Sequence, residues 1–573
     1  MKRPPIGRLV ALFCTMSLAL GAIFVRLTVL QVSQAADLQD LALDQRLRTV
    51  ELPAQRGQVL DRSGDALALT LPARDIYADP RYVAEPWAAA TRLAPLLGID
   101  ASVLVGELAR DDTSFVYLAR QVGLAVANDV AELELPGIGL LPSSRRFYPA
   151  GPLASQVLGF VGVDGDGLAG LEVEYQALLA GTPGARTQEL DPLGKPIAGG
   201  VDAEVEPFPG SSIVTTIDRD LQYQAQAALE HAVATQHARG GSIVVLDPQT
   251  GDILAIASFP WFDPNEFEEA TDGQIRARPI TDAFEPGSTN KIITAAAAIQ
   301  EQALGLDERV VVPWELRVDE FFTIHDSHQH PVMRMTLGDI IAESSNIGAA
   351  KVGALVGATD LASYLARFGL GRQTGVGFPG ESSGIMLPLY RWGAASLATI
   401  AYGQGISATP LQMASVFATI ANEGRWVQPR LVTATVGPDG TTHPLPPSPS
   451  RRVVSADTAS IVTQMLAYAV AYGTGVNARI HGYQVAGKTG TSRIPLKDGP
   501  GYVTGQYIAS FIGYLPAGDP QVVVAAILDR PAQGYGGLAA APLFREVARA
   551  AIARLRIEPA DQVPLPPHAL PLP

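Results

Sequence analysis

The most apolar stretch of the chain runs over residues 9–25 and continues beyond Arg26 through residues 27–30. A helix needs about 20 predominantly apolar residues to cross a bilayer, and this stretch reaches that length if Arg26 extends its charge to the far interface. Lys2, Arg3 and Arg8 precede it, and clustered positive charge favours the cytoplasmic side. We predict a cytoplasmic tail at residues 1–8, a transmembrane anchor at residues 9–32, and an extracytoplasmic remainder. A signal peptide cleaved near residues 35–36 is the alternative.

Residues 40–205 show short alternating segments separated by glycine and proline, which predict a first module of short strands and helices. Residues 58–60 are predicted as a strand and residues 86–97 as a helix. No recognisable catalytic pattern occurs in this module, so its role is either a spacer or a surface for partners.

Residues 206–558 are predicted to form an α+β domain. A strand within 211–218 leads to a helix over 219–236, and a hairpin joins 242–246 to 253–258 across a turn that contains proline and glycine. A second hairpin joins 507–514 to 522–528. Because helices lie between these strands in the chain, we predict an antiparallel sheet covered by a helical subdomain. Residues 559–573 are rich in proline and are predicted to be disordered.

Composition excludes some functions. The chain has 573 residues, 47% of them hydrophobic, and a net charge of −15. That charge argues against a nucleic-acid partner, which requires a basic face. Cys14 is the single cysteine and lies in the apolar N-terminal stretch, so no internal disulfide can form.

The candidate chemistry begins at Ser288 and Lys291. A serine hydroxyl needs an adjacent base to act as a nucleophile, and residues three apart share one face of a helix. Residues 284–287 break the chain and the apolar run 292–299 continues it as a helix, so we predict Ser288 in the first turn, where the helix dipole favours negative charge. The chain contains only six lysines, and lysine, unlike arginine, can act as a base after it loses its proton.

Two further strings follow in order, Ser344-Ser345-Asn346 and Lys488-Thr489-Gly490-Thr491. Thr336 and Asp339 form a helix-start pattern, so we predict that a helix leads into the Ser344 string and presents Ser344 and Asn346 to a cleft. The Lys488 string is predicted on a strand that follows residues 483–486. Each string alone is compatible with an ordinary helix surface or turn, but the three together indicate a serine acyl-transfer site.

These strings resemble the active-site motifs of the penicillin-binding proteins and serine β-lactamases. The resemblance extends to further segments over about residues 7–555: Phe284 to Ser288, Tyr402 to Gly405, Thr409 to Gln412, Arg56-Gly57, Asp61-Arg62 and Gly170-Leu171-Glu172. It implies a class B penicillin-binding protein, in which residues 40–205 form an elongated pedestal, or dimerisation-type domain, and residues 206–558 the transpeptidase domain.

The resemblance and the chemistry together suggest catalytic roles. Ser288 would attack the substrate carbonyl, Lys291 would take its proton, and Ser344 would relay a proton to the leaving amine. Asn346 would bind the substrate amide, and Lys488 would supply positive potential. The backbone N–H groups of Ser288 and Thr491 would form the oxyanion site. Thr489 and Thr491 would bind a terminal carboxylate of the substrate, and Gly490 would allow the substrate backbone to approach the strand closely.

The resemblance also implies the substrates and partners. These are peptidoglycan stem peptides, with a D-Ala-D-Ala donor and an amine acceptor, and β-lactams that acylate Ser288. It implies no cofactor and no metal. His325, His328 and His330 lie close together, but their spacing in a loop does not build a defined metal site, and we interpret residues 325–330 as a solvated loop.

Of the two types of class B protein, the division type is favoured over the elongation type. A division-type protein is expected to lie in the inner membrane and to act in the septum beside a polytopic glycan polymerase. Elongation-type members more often carry aspartate at the position of Asn346. Asn290 departs from the apolar residue usual at its position, which leaves the packing of Lys291 open. Four other functional classes are alternatives to a transpeptidase: a β-lactamase, a β-lactam sensor, a catalytically silent scaffold and a hydrolytic peptidase.

Overall fold

The computed structural model describes residues 6–34, 38, 46–191, 197–496, 499 and 501–566. The predicted N-terminal helix is confirmed. Helix α1 spans Ile6–Thr28 and continues as a π-helical turn over Val29–Ser33. Together they form a 28-residue helix whose most apolar 18 residues have a mean hydropathy of 2.1, and none of its residues is buried. It is the one helix in the described ranges that is long and apolar enough to cross a membrane. The alternative signal-peptide cleavage point, at residues 35–36, lies outside the described residues.

The described residues of the first module form seven strands and six α-helices, and the helix predicted at residues 86–97 is confirmed. The strands are β1 Leu47–Leu52, β2 Val59–Leu60, β3 Ala66–Ala78, β4 Val116–Gly123, β5 Ile138–Phe147, β6 Gly184–Glu189 and β7 Asp202–Val205. The helices are α2 Pro86–Leu97, α3 Ala101–Leu108, α4 Leu124–Glu132, α5 Ser155–Leu158, α6 Gly170–Glu174 and α7 Gln176–Leu179.

The second module contains the remaining strands and helices. The strands are β8 Ser212–Thr215, β9 Gly240–Leu246, β10 Ile253–Phe259, β11 Val310–Val312, β12 Glu315–Arg317, β13 Thr323–His325, β14 Met333–Met335, β15 Arg425–Val427, β16 Val432–Val436, β17 Thr442–Pro444, β18 Ser450–Arg452, β19 Ala486–Pro495, β20 Tyr502–Leu515 and β21 Val522–Asp529. The helices are α8 Arg219–Thr235, α9 Asp272–Ile275, α10 Arg278–Thr281, α11 Lys291–Gln300, α12 Leu337–Glu343, α13 Asn346–Val356, α14 Ala358–Arg367, α15 Ala394–Ala401, α16 Pro410–Ala421, α17 Ala456–Ala471 and α18 Gly536–Leu555.

The second module is built on a five-stranded antiparallel sheet in the order β10-β9-β21-β20-β19, which confirms the predicted α+β class and both hairpins. Its strands are buried on both faces. Ile243 and Val245 of β9 pack in one core with α8 and α18, whereas Val244 and Leu246 pack in the larger core that contains the helical subdomain. Side chains alternate between the faces of a strand, so burial on both sides explains why β9 is almost continuously apolar.

A second sheet joins the two modules. Its order is β17-β16-β8-β2-β3-β4, with β5 paired to β3, and β2 of the first module runs parallel to β8 of the second. The first module is therefore joined to the second through backbone hydrogen bonds.

A buried charge cluster stands beside this junction and explains two of the motifs in the first module. Glu172 is fully buried and accepts from Nε of Arg56 at 2.8 Å and Nε of Arg146 at 2.7 Å. Arg146 also donates to the carbonyl of Gly57 at 2.8 Å. Two guanidinium groups thus share one carboxylate inside the protein.

We expect Glu172→Gln to lower the free energy of unfolding by about 3–5 kcal/mol, because loss of one member of a buried ion pair leaves its partners uncompensated. Thermal unfolding of the full chain in detergent measures this. Glu174→Gln is the matched control, since Glu174 is exposed on the same helix, and it should stay within about 0.5 kcal/mol of the parent. Equal melting temperatures for the two variants would contradict the prediction.

The C-terminal segment differs from its predicted disorder. Residues 559–566 carry no helix or strand, but Val563 and Leu565 pack against the larger core. The side-chain amide of Gln484 pairs with the backbone of Val563, accepting at 2.7 Å and donating at 3.1 Å. The prediction is therefore wrong for residues 559–566, and residues 567–573 lie outside the described part.

Candidate active site

Ser288 lies in a single 3-10 turn, Gly287–Asn290, and the α-helix begins only at Lys291. This corrects the prediction that Ser288 occupies the first α-helical turn. A 3-10 helix has three residues per turn, so side chains at i and i+3 lie directly above one another. The Nζ of Lys291 accordingly lies 3.0 Å from Oγ of Ser288.

Gly287 permits the approach of this turn to β19. Its φ of +53° is in the left-handed region, and a Cβ there would lie 2.9 Å from the carbonyl oxygen of Thr491. The nucleophile turn and the third string are therefore in direct backbone contact.

Lys291 is completely buried, and its Nζ has four oxygen neighbours. Besides Ser288 Oγ, they are Asn346 Oδ1 at 2.9 Å, Ser344 Oγ at 3.3 Å and the carbonyl oxygen of Ser344. A neutral amine has two N–H groups and one lone pair. Because the Ser344 carbonyl and the Asn346 amide oxygen can only accept, they occupy both N–H groups and leave the lone pair for the Ser288 hydroxyl.

Ser344 ends helix α12 in the left-handed conformation, with φ 62° and ψ 33°. The predicted start of this helix is confirmed, since Thr336 and Asp339 form a capping box. A non-glycine residue in the left-handed region is strained and persists only where its surroundings hold it. Here the turn directs the Ser344 carbonyl at Lys291 and places its Oγ 2.9 Å from Nζ of Lys488.

Lys488 is also buried and lies on β19, as predicted. Its Nζ donates to the carbonyl and to Oγ1 of Thr489, at 3.2 and 3.1 Å. Thr489 Oγ1 is also 2.8 Å from Oγ1 of Thr474. Thr474 was not among the predicted site residues, although Gly473 and Gly475 on either side of it indicate close packing. A Cβ on Gly473 would lie 2.3 Å from the carbonyl oxygen of Ala342, so close packing brings Thr474 to the site.

The last two residues of the third string have contacts within the protein. A Cβ at Gly490 would lie 2.3 Å from Ser510 Oγ and 3.0 Å from Thr289 Cγ2, so glycine is required by packing against the nucleophile turn. Thr491 Oγ1 accepts from the backbone N–H of Gly536 at 3.1 Å. The substrate contacts expected for Thr489, Gly490 and Thr491 stay predictions.

Burial sets the charge states of the two lysines. Desolvation holds the pKa of Lys291 well below its usual value; the positive charge of Lys488 lowers it further and the carboxylate of Asp326 raises it. Desolvation also lowers the pKa of Lys488 to about 7, against an opposing effect of Glu343. Lys291 is therefore suited to be a neutral base at neutral pH, while Lys488 lies near the midpoint of its titration.

Asn290, the departure noted in the sequence, is fully buried and donates through Nδ2 to the carbonyl of Ile400 at 2.8 Å. It points away from the lysine cluster into the helical subdomain. The packing of Lys291 is therefore preserved despite the polar residue.

The interpretation of residues 325–330 as a solvated loop is wrong for two of them. Nε2 of His330 lies 3.0 Å from Oδ2 of Asp326, and the Asp326 and His330 side chains are only 6% and 9% exposed. Among the described residues, no group of three or more His, Cys, Asp or Glu side chains is arranged to hold a metal ion. Asp326 was not among the predicted site residues, but it contacts Ser345 and Asn346 of the second string.

The structure thus brings Ser288, Lys291, Ser344, Asn346 and Lys488 into one hydrogen-bonded cluster. It connects the base candidate to the nucleophile and to both neighbouring strings. Such an arrangement can remove a proton from a serine hydroxyl and return it to a leaving group.

Comparison with known proteins assigns the family. Residues 241–549 match the penicillin binding protein transpeptidase domain and residues 51–215 the penicillin-binding protein dimerisation domain. The chain is 36% identical to penicillin-binding protein PbpB of Mycolicibacterium smegmatis, over 95% of this chain and 90% of that protein. It is 33% identical to peptidoglycan D,D-transpeptidase FtsI of Escherichia coli, over 96% and 92%.

The fold agrees with these matches. A crystal structure of penicillin-binding protein 3 from Mycobacterium tuberculosis, complexed with aztreonam, superposes with a TM-score of 0.71 at 33% identity, covering 90% of this chain and 99% of that one. With the active-site cluster in place, the sequence matches and the superposition together establish that the chain belongs to the class B penicillin-binding proteins.

Proposed function

We propose that this protein is a division-type peptidoglycan D,D-transpeptidase that cross-links stem peptides through a serine acyl-enzyme. The observation that carries the proposal is the saturation of Lys291 Nζ by carbonyl acceptors, which leaves its lone pair for the Ser288 hydroxyl. The family match to the transpeptidase domain supports the same reaction class.

Acylation begins when Ser288 Oγ attacks the carbonyl carbon of the penultimate D-Ala of a donor stem peptide and its proton passes to Lys291. The backbone N–H groups of Ser288 and Thr491 stabilise the oxyanion, a contribution worth on the order of 10²–10³ in rate for one donor. The C–N bond then breaks and terminal D-Ala leaves as an amine. Its proton comes through Ser344, which lies between the two lysines.

Substrate recognition uses the rim of the same cluster. Lys488 supplies positive potential for the terminal carboxylate, which Thr489 and Thr491 bind. Asn346 has one N–H on His325 O at 3.1 Å, and its second N–H is available to a substrate carbonyl. An amine of a neighbouring stem peptide attacks the acyl-enzyme to form the cross-link. A β-lactam acylates Ser288 by the same route, but its ring-opened product does not depart.

The location and partners follow from the anchor and the family. Helix α1 anchors the protein in the cytoplasmic membrane, with Lys2, Arg3 and Arg8 on the cytoplasmic side and both modules outside. The division assignment is supported by Asn346 and by the relatives PbpB and FtsI. In that role the anchor and the first module contact a polytopic glycan polymerase and other division proteins.

The test uses the full chain in detergent with a labelled penicillin and, separately, a stem pentapeptide donor with a D-amino acid acceptor. We expect one stable penicillin adduct per chain that persists for hours, and exchange of the terminal D-Ala that is faster than its hydrolysis. Rapid loss of the penicillin label would indicate a β-lactamase-like hydrolase. Hydrolysis without exchange would indicate a peptidase.

The pH dependence of acylation offers a separate prediction. We expect the second-order rate constant for a carboxylate-bearing penicillin to rise from acid pH as Lys291 loses its proton. It should decline above about pH 7, because Lys488, with a pKa of about 7, then loses the positive charge that attracts the carboxylate. Such profiles of the second-order constant report the free enzyme.

The matched variant is Lys488→Met, followed by stopped-flow over pH 5–9, about two units either side of the expected inflection. This variant should be slower at every pH below 7 and should lack the alkaline decline. A decline that persists in Lys488→Met would assign it to another group and contradict the prediction.

A further inference from the structure

Asp326 and His330 lie outside the three strings, but they contact each other at 3.0 Å, and Asp326 contacts the second string, Ser344-Ser345-Asn346. Asp326 follows β13 in the connection that leads to α12. Both side chains are almost fully buried. A buried carboxylate is costly unless it is paired and hydrogen-bonded, so its partners indicate what it holds in place.

The Asp326 carboxylate accepts four hydrogen bonds. Oδ2 accepts from Ser345 Oγ at 2.7 Å and from His330 Nε2 at 3.0 Å. Oδ1 accepts from the backbone N–H groups of Asn346 at 2.5 Å and Ile347 at 3.1 Å. These N–H groups belong to the first turn of α13, where negative charge is favourable. One carboxylate therefore fixes the chain from residue 345 to residue 347.

The contacts of His330 fix the orientation of its ring. Nδ1 lies 2.7 Å from the carbonyl oxygen of Pro331, which can only accept. Nε2 lies 3.0 Å from Oδ2 of Asp326. Both ring nitrogens of His330 therefore have partners, and the ring holds the Asp326 carboxylate at Oδ2, whereas the α13 N–H groups hold it at Oδ1.

The segment that Asp326 holds, residues 345–347, is linked to the two active-site lysines through Asn346 and the adjoining Ser344. The backbone N–H of Asn346 donates to Asp326, and the side-chain Oδ1 of the same residue accepts from Nζ of Lys291 at 2.9 Å. Ser344, in its left-handed turn, immediately precedes the held residues and touches both lysines. The Asp326 carboxylate also raises the pKa of Lys291, opposing the effects of burial and of Lys488.

We propose that Asp326 and His330 are a positioning pair that holds residues 345–347, and through them the adjoining Ser344, in the conformation required for acylation of Ser288, with the Asp326 charge acting on Lys291. This deepens the transpeptidase function proposed above and rests on it. The pair acts through Lys291, Ser344 and Asn346. The titratable groups near the pair include Lys291, on which the Asp326 charge acts, and His328, whose ring is 6.1 Å from that of His330. His325 precedes Asp326 in the chain, and its Nδ1 lies 3.9 Å from Oε2 of Glu315.

The test is Asp326→Asn in the full chain. Stopped-flow measures the dissociation constant and the first-order acylation constant for a fluorescent penicillin from acid pH, at which acylation is lost, up to about pH 9. Asparagine keeps the shape and can still accept from the α13 N–H groups, but it removes the charge. We expect the acylation constant to fall about 10- to 100-fold, the scale of a misplaced reacting group, with the dissociation constant little changed.

The acid limb of the profile separates positioning from general stability. Without the carboxylate, the pKa of Lys291 should be lower still, so the acid limb should shift to lower pH. A purely structural defect would lower the rate without moving the limb. Asp319→Asn is the matched control, because Asp319 is exposed in the preceding hairpin, and it should match the parent. An unshifted limb, whatever the rate, would overturn the proposal.

A second pair of variants serves if Asp326→Asn does not fold. The side-chain amide of His330→Gln can still donate to Asp326, whereas His330→Ala cannot. Because His330→Ala removes a hydrogen bond to Asp326 that His330→Gln keeps, we expect His330→Ala to acylate about tenfold more slowly than His330→Gln. Equal rates in the two variants would overturn the proposal. Absence of any adduct on the parent would instead contradict the transpeptidase function itself.

Discussion

Ser288→Ala is expected to form no covalent adduct with penicillin at any time or concentration tested. The 3-10 turn holds Ser288 Oγ 3.0 Å from Nζ of Lys291, where the lysine can take its proton. Ser344 Oγ is farther, at 3.3 Å, and is also bound by Lys488, so it is not expected to replace the nucleophile.

Intact-mass analysis of the full chain in detergent measures this result, with peptide mapping of the parent adduct to residue 288. Ser383→Ala is the control, since Ser383 is an exposed serine outside the cluster, and it should label like the parent. An adduct on folded Ser288→Ala would identify a different nucleophile and contradict the assignment.

Lys291→Met is expected to lower the acylation rate by about 10²–10⁴, the usual contribution of a general base. Methionine fills a similar volume in the buried site but has no lone pair basic enough to accept the Ser288 proton. It also leaves the Ser344 carbonyl and Asn346 Oδ1 without their donor, so some loss of stability accompanies the loss of rate.

Stopped-flow acylation at several pH values measures the effect, with thermal unfolding to show that the variant is folded. Lys351→Met is the matched control: Lys351 lies on α13 and donates to the carbonyl of Val311 at 2.7 Å, away from the cluster. Its acylation rate should equal that of the parent. A rate for Lys291→Met within tenfold of the parent would assign the proton transfer to another group.

The features that sequence analysis predicted well depend on local interactions. The helix at residues 86–97, the Thr336–Asp339 capping box and the two hairpins of the central sheet all form between residues close together in the chain. The spacing of Ser288 and Lys291 is local too, and placed them together even though the turn is 3-10 rather than α-helical.

The features that it missed involve residues distant in the chain. Glu172 meets Arg56 across 116 residues, and Gln484 meets Val563 across 79. Asp326 reaches Asn346 from 20 residues upstream, across the β14–α12 segment. None of these partners has a spacing that a local rule recognises, because packing of separate elements brings them together.

By itself, the sequence determined the reaction class, the identity of the nucleophile candidate and its base, and the apolar N-terminal helix. A serine and a lysine three residues apart need only one helical turn to meet, and an apolar stretch needs only its own length to span a bilayer. Only the tertiary structure decided how that pair is used. Packing of β19, α12 and α13 around Lys291 removes water, places carbonyl oxygens on its two N–H groups, and sets Asp326 behind them. Desolvation and the direction of a lone pair depend on the surrounding atoms, and those atoms come from four separate parts of the chain.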